Sequence, residues 1–324
     1  MPAHSIPPLP NGRKPFARGR FEDLPAVPTR SHTFHQTEAR TVTVDAPGWP
    51  RLDTHVRVYG SGPPLLLIHG LMTSSYSWRY TFEELGKHYT CYAPDLPGAG
   101  RTPAALRTSY GPQHLARWLA ALQRALGIRG CDVIGNSLGG YLCMHLALQD
   151  PESIHRLVNL HAPGVLEPRI ILLNGILQLP GTKRLLRALV HRDPLRWVHR
   201  NVHYYDESYK SLEEAHEYGA PLATDDGCDA FHKYLGETMD PRPMRVFHAE
   251  LKARRRAHSD FPVPLLLLYA EKDPMVPPRF GHVYAKQIPD AELVWLSQAS
   301  HFAHVDATAR FLGPVLRFFG HDAS

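Results

Sequence analysis

The sequence predicts an α/β fold in which helices flank a mostly parallel sheet, with a helical insertion in the second half. Apolar runs of strand length recur at residues 64–68, 89–93, 131–134 and 156–160. Such runs are typical of strands buried on both faces. Helix-like segments separate these runs, in the alternation expected of a parallel sheet. From residue 164 to residue 261 the alternation stops, and the sequence is leucine-rich and helical in character.

The remaining elements follow from local composition. Residues 1–38 hold seven prolines and few large apolar side chains, which is typical of an extended arm. Residues 41–44 and 55–59 alternate apolar and polar side chains and predict two antiparallel strands. Two late apolar runs predict strands at 263–269 and 292–296, and residues 307–319 predict a closing helix. We therefore predict an eight-stranded core from residues 39–163 and 262–324, with a helical cap at 164–261.

Composition excludes several classes of protein. Hydrophobic residues make up 43% of the 324 residues and charged residues 21%, as in a globular protein. The formal charge of +5 is scattered, apart from a basic run at residues 252–256 that we interpret as a solvated helix face. Basic residues interleaved with aromatic residues are not found, so we expect no nucleic-acid partner.

Targeting features are also few. The four cysteines show no CxxC spacing, which favours a reduced, cytoplasmic protein. The N-terminal sequence has no apolar core typical of a signal peptide. Residues 170–180 are apolar but too short to span a bilayer. We interpret this segment as pocket-lining or core-packing, and contact with a membrane surface is the weakest of the three alternatives.

One serine lies at a predicted corner between a strand and a helix. The sequence GNSLG at residues 135–139 follows an apolar run and precedes a mostly apolar helix. A serine in such a corner is held in a strained backbone conformation, and glycines beside it let strand and helix pass closely. Ser137 is therefore a candidate nucleophile, provided that a base and an orienting acid lie near it.

The later sequence supplies both groups at the carboxyl ends of predicted strands. Asp273 follows the strand that ends at Tyr269, and His301 follows the next strand. Because ligands bind at this edge of open α/β sheets, we expect the two side chains to meet Ser137 there.

These residues resemble those of serine hydrolases of the α/β-hydrolase superfamily, of the capped, esterase-like or lipase-like kind. Five segments carry the resemblance: LIHGL at 67–71, PDLPGAGRT at 94–102, GNSLG at 135–139, YAEKD at 269–273 and SHF at 300–302. The resemblance covers roughly residues 41–163 and 262–320 and leaves the arm and most of the cap unexplained. A serine at position 137 argues against the relatives that use an aspartate nucleophile.

The resemblance implies a role for each site residue. Ser137 is the nucleophile, His301 the general base and Asp273 the acid that orients it. The backbone N–H groups of Leu71 and Leu138 form the oxyanion hole, and Met72 contacts the substrate. The resemblance implies no cofactor.

Other residues compete for these roles. His304 is an alternative base and Asp95 an alternative acid, although both are less favoured; His69 is interpreted as structural. His199 and His203 are four residues apart but lack a third ligand at a convincing spacing, so we expect no metal. The glycines of residues 98–100 lack the rest of a phosphate-binding sequence.

The predicted activity is hydrolysis of a carboxylic ester with a moderately apolar acyl group, since the cap is leucine-rich. Lactone, amide or carbon–carbon bond hydrolysis are alternatives within the same class. A ligand-binding protein without catalysis and an enzyme that docks on lipid through its cap are the rivals from other classes.

Overall fold

A twisted sheet forms the centre of the molecule. In the computed structural model, Leu9, Gly12 and residues 14–321 are described. The strands are β1 (Glu38–Val44), β2 (Leu52–Tyr59), β3 (Pro64–Ile68), β4 (Thr90–Pro94), β5 (Cys131–Asn136), β6 (Ile154–Leu160), β7 (Leu265–Ala270) and β8 (Glu292–Leu296). Their order is β1-β2-β4-β3-β5-β6-β7-β8. The prediction of an eight-stranded sheet is confirmed.

Strand direction divides the sheet into two parts. Strand β2 pairs antiparallel with β1 and with β4, whereas β4, β3, β5, β6, β7 and β8 run parallel to one another. Because parallel strands need crossover connections, helices cover both faces of this part. The carboxyl ends of these six parallel strands therefore lie at one edge of the sheet.

Twelve α-helices are found in the described part of the chain. They are α1 (Phe82–Leu85), α2 (Pro112–Leu126), α3 (Leu138–Gln149), α4 (Pro168–Leu177), α5 (Thr182–His191), α6 (Pro194–Asn201), α7 (Leu212–Leu222), α8 (Asp225–Lys233), α9 (Pro241–Arg256), α10 (Arg279–Gln287), α11 (Ala303–Asp306) and α12 (Thr308–Phe318). A π-helical turn, Tyr234–Thr238, joins α8 to α9. None of these helices is both long and apolar enough to cross a membrane.

The core has a layer on each face of the sheet. Along β3, Leu66 and Ile68 belong to one cluster with residues of α2 and α3, whereas Leu65 and Leu67 belong to the other, which includes residues of α12. All four side chains are fully buried. This alternation is what a strand with apolar side chains on both faces produces.

Helices α4 to α9 lie between β6 and β7. Residues 164–261, which we call the cap, are all described and contain no strand. A buried ion pair between Arg79 and Glu214 of α7 joins it to the core. The Tyr204 hydroxyl donates to the same carboxylate at 2.6 Å. Since a buried charge must be paired, this contact fixes α7 over the core.

The described part of the arm contacts both cap and core. The carbonyls of Pro25 and Ala26 accept hydrogen bonds from the first residues of α7, at 2.9 and 3.0 Å. Arg30 donates to Thr308 of α12 at 3.0 Å, and the Phe34 ring is fully buried in the core. Residues 14–37 thus run along both the cap and the core. Residues 1–8, 10, 11 and 13 of the predicted arm lie outside the described residues.

Candidate active site

Ser137 occupies a strained corner between β5 and α3. Its backbone has φ 53° and ψ −119°, a combination that costs a non-glycine residue about 1–3 kcal/mol. Its N–H donates to Leu160 of β6 at 2.7 Å, and its carbonyl accepts from Tyr141 at 3.0 Å. These bonds hold the serine at the carboxyl edge of the sheet.

Glycines around Ser137 permit close packing of the backbone. A Cβ atom on Gly139 would lie 2.3 Å from the carbonyl oxygen of Ile68, and one on Gly135 would lie 2.5 Å from the nitrogen of Gly140. Both distances are far inside van der Waals contact. Glycine at positions 135 and 139 is therefore required by the crossing of α3 against β3 and β5.

Asp273 and His301 form a buried pair at the ends of β7 and β8. The Nδ1 atom of His301 lies 2.6 Å from Oδ2 of Asp273. The other carboxylate oxygen accepts from the N–H groups of Met275 and Val276 at 2.7 and 2.8 Å. Burial alone would raise the pKa of Asp273, but the adjacent His301 and these hydrogen bonds hold it below its usual value. The carboxylate is thus ionised and aimed at the imidazole.

A second histidine, His161 at the end of β6, lies beside this pair. Its Nε2 accepts a hydrogen bond from the N–H of Ala270 at 2.6 Å and is 4.0 Å from Oδ2 of Asp273. Burial lowers the pKa of His161 to about 3, so the ring stays neutral and does not compete for the carboxylate. Sequence reasoning missed this residue; its place after a parallel strand was the available signal.

Asn136 was also missed. Its side-chain amide donates to the backbone carbonyl of His301 at 3.1 Å. The residue before the candidate nucleophile therefore holds the loop that carries the candidate base. No pattern in the sequence relates two residues so far apart.

The predicted oxyanion groups lie next to Ser137. Leu138 is the first residue of α3, where helix geometry leaves the N–H without an intrahelical acceptor. A Cβ on Gly70 would be 3.2 Å from Cβ of Ser137, which places the loop of Leu71 and Met72 against the serine. Within residues 14–321, neither the Leu71 nor the Leu138 N–H donates to an acceptor. Both are available to a ligand.

These residues line one cavity of about 400 Å³. Ser137 and His301 lie in its wall with Leu71, Met72 and Leu138. No hydrogen bond joins Ser137 to His301 among the described residues, and such bonds often tighten only when substrate binds. The rest of the wall is mostly apolar and includes Ile170, Leu173, Phe231, Leu235, Met239, Met244, Met275, Val276, Phe280 and Phe302.

The competing residues have other roles in the structure. His69 Nε2 accepts from the N–H of Leu96 at 2.9 Å, and Asp95 accepts from the N–H groups of Ser75 and Arg101 at 2.7 and 2.8 Å. His304 is fully buried against the ring of Trp78, with centroids 4.5 Å apart, and does not line the cavity. Their positions favour His301 and Asp273.

Two groups of three side chains approach the spacing of a metal site in the described part of the chain. One is His161, Asp273 and His301, whose ligand atoms are engaged in the hydrogen bonds above. The other is His32, His35 and Glu213, in which the Tyr76 hydroxyl donates to Glu213 at 2.8 Å. His199, considered from the sequence, instead bonds through Nε2 with the carbonyl of Gly19.

Comparison with known proteins gives concordant results. The family model of the alpha/beta hydrolase fold matches residues 63–308. An uncharacterized protein of Mycobacterium tuberculosis is 28% identical over 277 residues, which cover 81% of this chain and 76% of that protein. A 2-hydroxymuconate semialdehyde hydrolase of a Pseudomonas species is 26% identical over 266 residues, covering 81% and 88%.

Solved structures agree in fold. An epoxide hydrolase, CorEH, superposes with a TM-score of 0.74 at 19% identity, over 88% of this chain and 99% of that one. A meta-cleavage product hydrolase of Pseudomonas fluorescens superposes with a TM-score of 0.63 at 23% identity, over 87% and 97%. The family match extends over most of the chain and includes Ser137, Asp273 and His301. The protein belongs to the α/β-hydrolase family and is a hydrolase.

Proposed function

We propose that this hydrolase cleaves carboxylic esters with a moderately apolar acyl group, through an acyl-enzyme on Ser137. The observation that carries the proposal is the 2.6 Å hydrogen bond between His301 and Asp273 beside the cavity that Ser137 shares. With its Nδ1 proton directed to the carboxylate, His301 keeps a lone pair on Nε2 for the serine proton.

In the acylation step, the Ser137 oxygen attacks the ester carbonyl while Nε2 of His301 takes its proton. The carbonyl oxygen becomes an oxyanion and accepts from the Leu71 and Leu138 N–H groups. His301 then protonates the leaving alcohol as the carbon–oxygen bond breaks. Asp273, ionised throughout, stabilises the transient imidazolium.

Water completes the cycle. It attacks the acyl-enzyme as His301 takes one of its protons, and the carboxylic acid leaves when the proton returns to Ser137. Each oxyanion donor contributes about a hundredfold or more to such a reaction. Because both donors here are backbone groups, the apolar side chains of Leu71 and Leu138 are no obstacle.

The cavity supports the acyl preference. A volume of about 400 Å³ with a mostly apolar wall suits an acyl chain whose carbonyl reaches Ser137. The single cationic side chain among the described wall residues is Arg169, which is paired with Glu167 at 2.8 Å. An uncharged acyl group therefore fits better than one that carries a carboxylate.

Carbon–carbon bond hydrolysis is a second candidate, favoured by the relatives. The Pseudomonas relative is called a 2-hydroxymuconate semialdehyde hydrolase, and another relative, 34% identical over 117 residues, a 2-hydroxy-6-oxo-2,4-heptadienoate hydrolase. These substrates carry a carboxylate. Turnover of a 2-hydroxy-6-oxo-dienoate that exceeds turnover of any ester would favour this candidate.

The test begins with labelling by a fluorophosphonate and hydrolysis of p-nitrophenyl esters of increasing chain length. We expect a covalent adduct on the peptide that contains Ser137, and loss of both labelling and turnover in Ser137→Ala. A Ser137→Ala protein as active as the parent would disprove the proposed mechanism.

The two neighbouring histidines provide a matched control. His301→Ala removes the proposed base and is expected to abolish ester turnover. His304→Ala, three residues later and outside the cavity wall, is expected to retain turnover in the folded protein. The opposite result would assign the base to His304.

A further inference from the structure

A group of exposed apolar side chains covers the outer surface of the cap. Seven of the ten large apolar side chains that the described residues expose lie in helices α4 and α5 and the turn between them. They are Ile171, Leu172, Leu173, Ile176, Leu179, Leu185 and Leu189, which we call the cap apolar face. Leu172 is 66% exposed and Leu185 is 60% exposed. Exposed apolar side chains concentrated in one segment of the surface in this way indicate an interaction site.

Helix α4 is apolar on both sides, and only one side is covered. Ile170, Asn174 and Leu177 face inward and are buried, and the Asn174 amide donates to the carbonyl of Gly236 at 2.7 Å. The opposite side carries Leu172 and Ile176. A helix that is apolar all round is normally buried on all sides, whereas the side of α4 that carries Leu172 and Ile176 is exposed. From sequence alone, membrane contact was the weakest of three alternatives for this segment, but the structure shows that the second apolar side faces solvent.

The charged side chains of α4, of α5 and of Arg192 beside it are cationic, and some of them have no ion-pair partner among the described residues. Residues 168–192 contain five Lys and Arg residues and no Asp or Glu. Lys183 and Arg187 pair with carboxylates of α8, whereas Arg184 and Arg192 are exposed and form no ion pair with any described residue. An apolar face bordered by cations is complementary to a surface that presents apolar chains and anionic head groups.

The face continues into the cavity of the candidate active site. Leu173 is 38% exposed and also lines the cavity, together with its neighbours Arg169 and Ile170. A molecule held in a lipid surface against α4 would therefore reach the cavity without crossing bulk water.

We propose that the cap apolar face docks on an anionic phospholipid surface, with α4 and α5 lying in the plane of the interface. A second copy of this chain is a poorer occupant, because a twofold contact would bring the cations of one face against those of the other. Helix α4, with ten residues, is too short to span the bilayer and suits an interfacial position. The corollary, that the substrate is a lipid ester drawn from that surface, rests on the proposed function.

The test measures binding without catalysis. Full-length Ser137→Ala protein is sedimented with vesicles of phosphatidylcholine alone and with vesicles that also contain about one third phosphatidylglycerol. We expect binding to the anionic vesicles that weakens as salt is added. Leu172→Ser and Leu179→Ser, neither of which lines the cavity, are each expected to weaken it by about tenfold or more.

Val27→Ser is the matched control, since Val27 is 61% exposed but lies in the arm. It is expected to bind vesicles like the parent. No binding to either vesicle, an equal loss with Val27→Ser, or a dimer that Leu172→Ser dissociates without any vesicle binding would each overturn the proposal.

Activity separates this inference from the proposed function. Leu172→Ser is expected to hydrolyse water-soluble p-nitrophenyl esters at the parental rate and to lose activity only on esters presented in vesicles. Failure of the parent to hydrolyse soluble esters would count against the proposed esterase activity. It would not affect the vesicle-binding test, which does not depend on catalysis.

Discussion

Stability should fall as pH rises through the titration of Asp306. This carboxyl group lies between the cap and the loop of His301: one oxygen accepts from the N–H of Tyr205 at 2.6 Å and the other from the N–H of Ser300 at 3.4 Å. Burial is the main cause that raises its pKa to about 7. The folded protein therefore holds a proton that the unfolded chain releases near pH 3.8.

The size of the effect follows from this difference in pKa. Between the two values the folded state binds one more proton than the unfolded state, so the free energy of unfolding decreases as pH rises. At about 1.4 kcal/mol per pH unit, a shift from 3.8 to about 7 removes about 4 kcal/mol. The stabilisation is complete below pH 3.8 and lost above the folded pKa.

The assay compares urea unfolding of the parent and Asp306→Asn from pH 4 to pH 8. Asparagine can still accept from Tyr205 but cannot ionise, so we expect the variant to gain about 4 kcal/mol relative to the parent across this range. Asp45→Asn, at an exposed position, controls for loss of one negative charge. A difference between parent and Asp306→Asn that stays constant with pH would refute the reasoning.

Three further outcomes are expected. Asp273→Asn should lower kcat for ester hydrolysis by about 10⁴-fold while the protein stays folded, because the imidazole loses its orienting carboxylate. A decrease in kcat of less than about tenfold would argue against that role. Gly139→Ala should destabilise the fold by about 1–3 kcal/mol or more, since the added Cβ would lie 2.3 Å from a carbonyl oxygen of β3. Gly175→Ala, whose Cβ would have no packing neighbour within 4 Å, should instead stabilise α4 by about 0.5–1 kcal/mol. Equal melting temperatures for the two variants would contradict this. Arg79→Met should cost about 3–5 kcal/mol in urea unfolding because Glu214 is left buried and unpaired, and Arg79→Met/Glu214→Leu should recover most of it; no recovery would place the effect elsewhere.

Much of the fold could be predicted because its signals are local. Strand β3 was predicted at residues 64–68 and β8 at 292–296, and both bounds are those of the structure. The closing helix was predicted at residues 307–319 and is α12, Thr308–Phe318. Side-chain periodicity and turn residues act over a few positions, so they can be recognised without knowing the partners.

Only some residues of the candidate site could be predicted from the sequence. Ser137, Asp273 and His301 could be proposed because each follows a strand in a recognisable segment, and the structure brings all three to one edge of the sheet. Their catalytic roles remain predictions. His161 and Asn136 went unnoticed, since their significance comes from contacts with Asp273 and with the carbonyl of His301, which lies 165 residues from Asn136.

The sequence by itself determined the order of strands and helices along the chain, the strained corner at Ser137 and the chemical groups available at strand ends, because these depend on neighbouring residues. Only the tertiary structure decided which histidine faces Asp273, that the surroundings of Asp306 raise its pKa, and which side of α4 is left in solvent. Those properties arise from packing between distant segments, and exposure and local dielectric have no value until the segments meet.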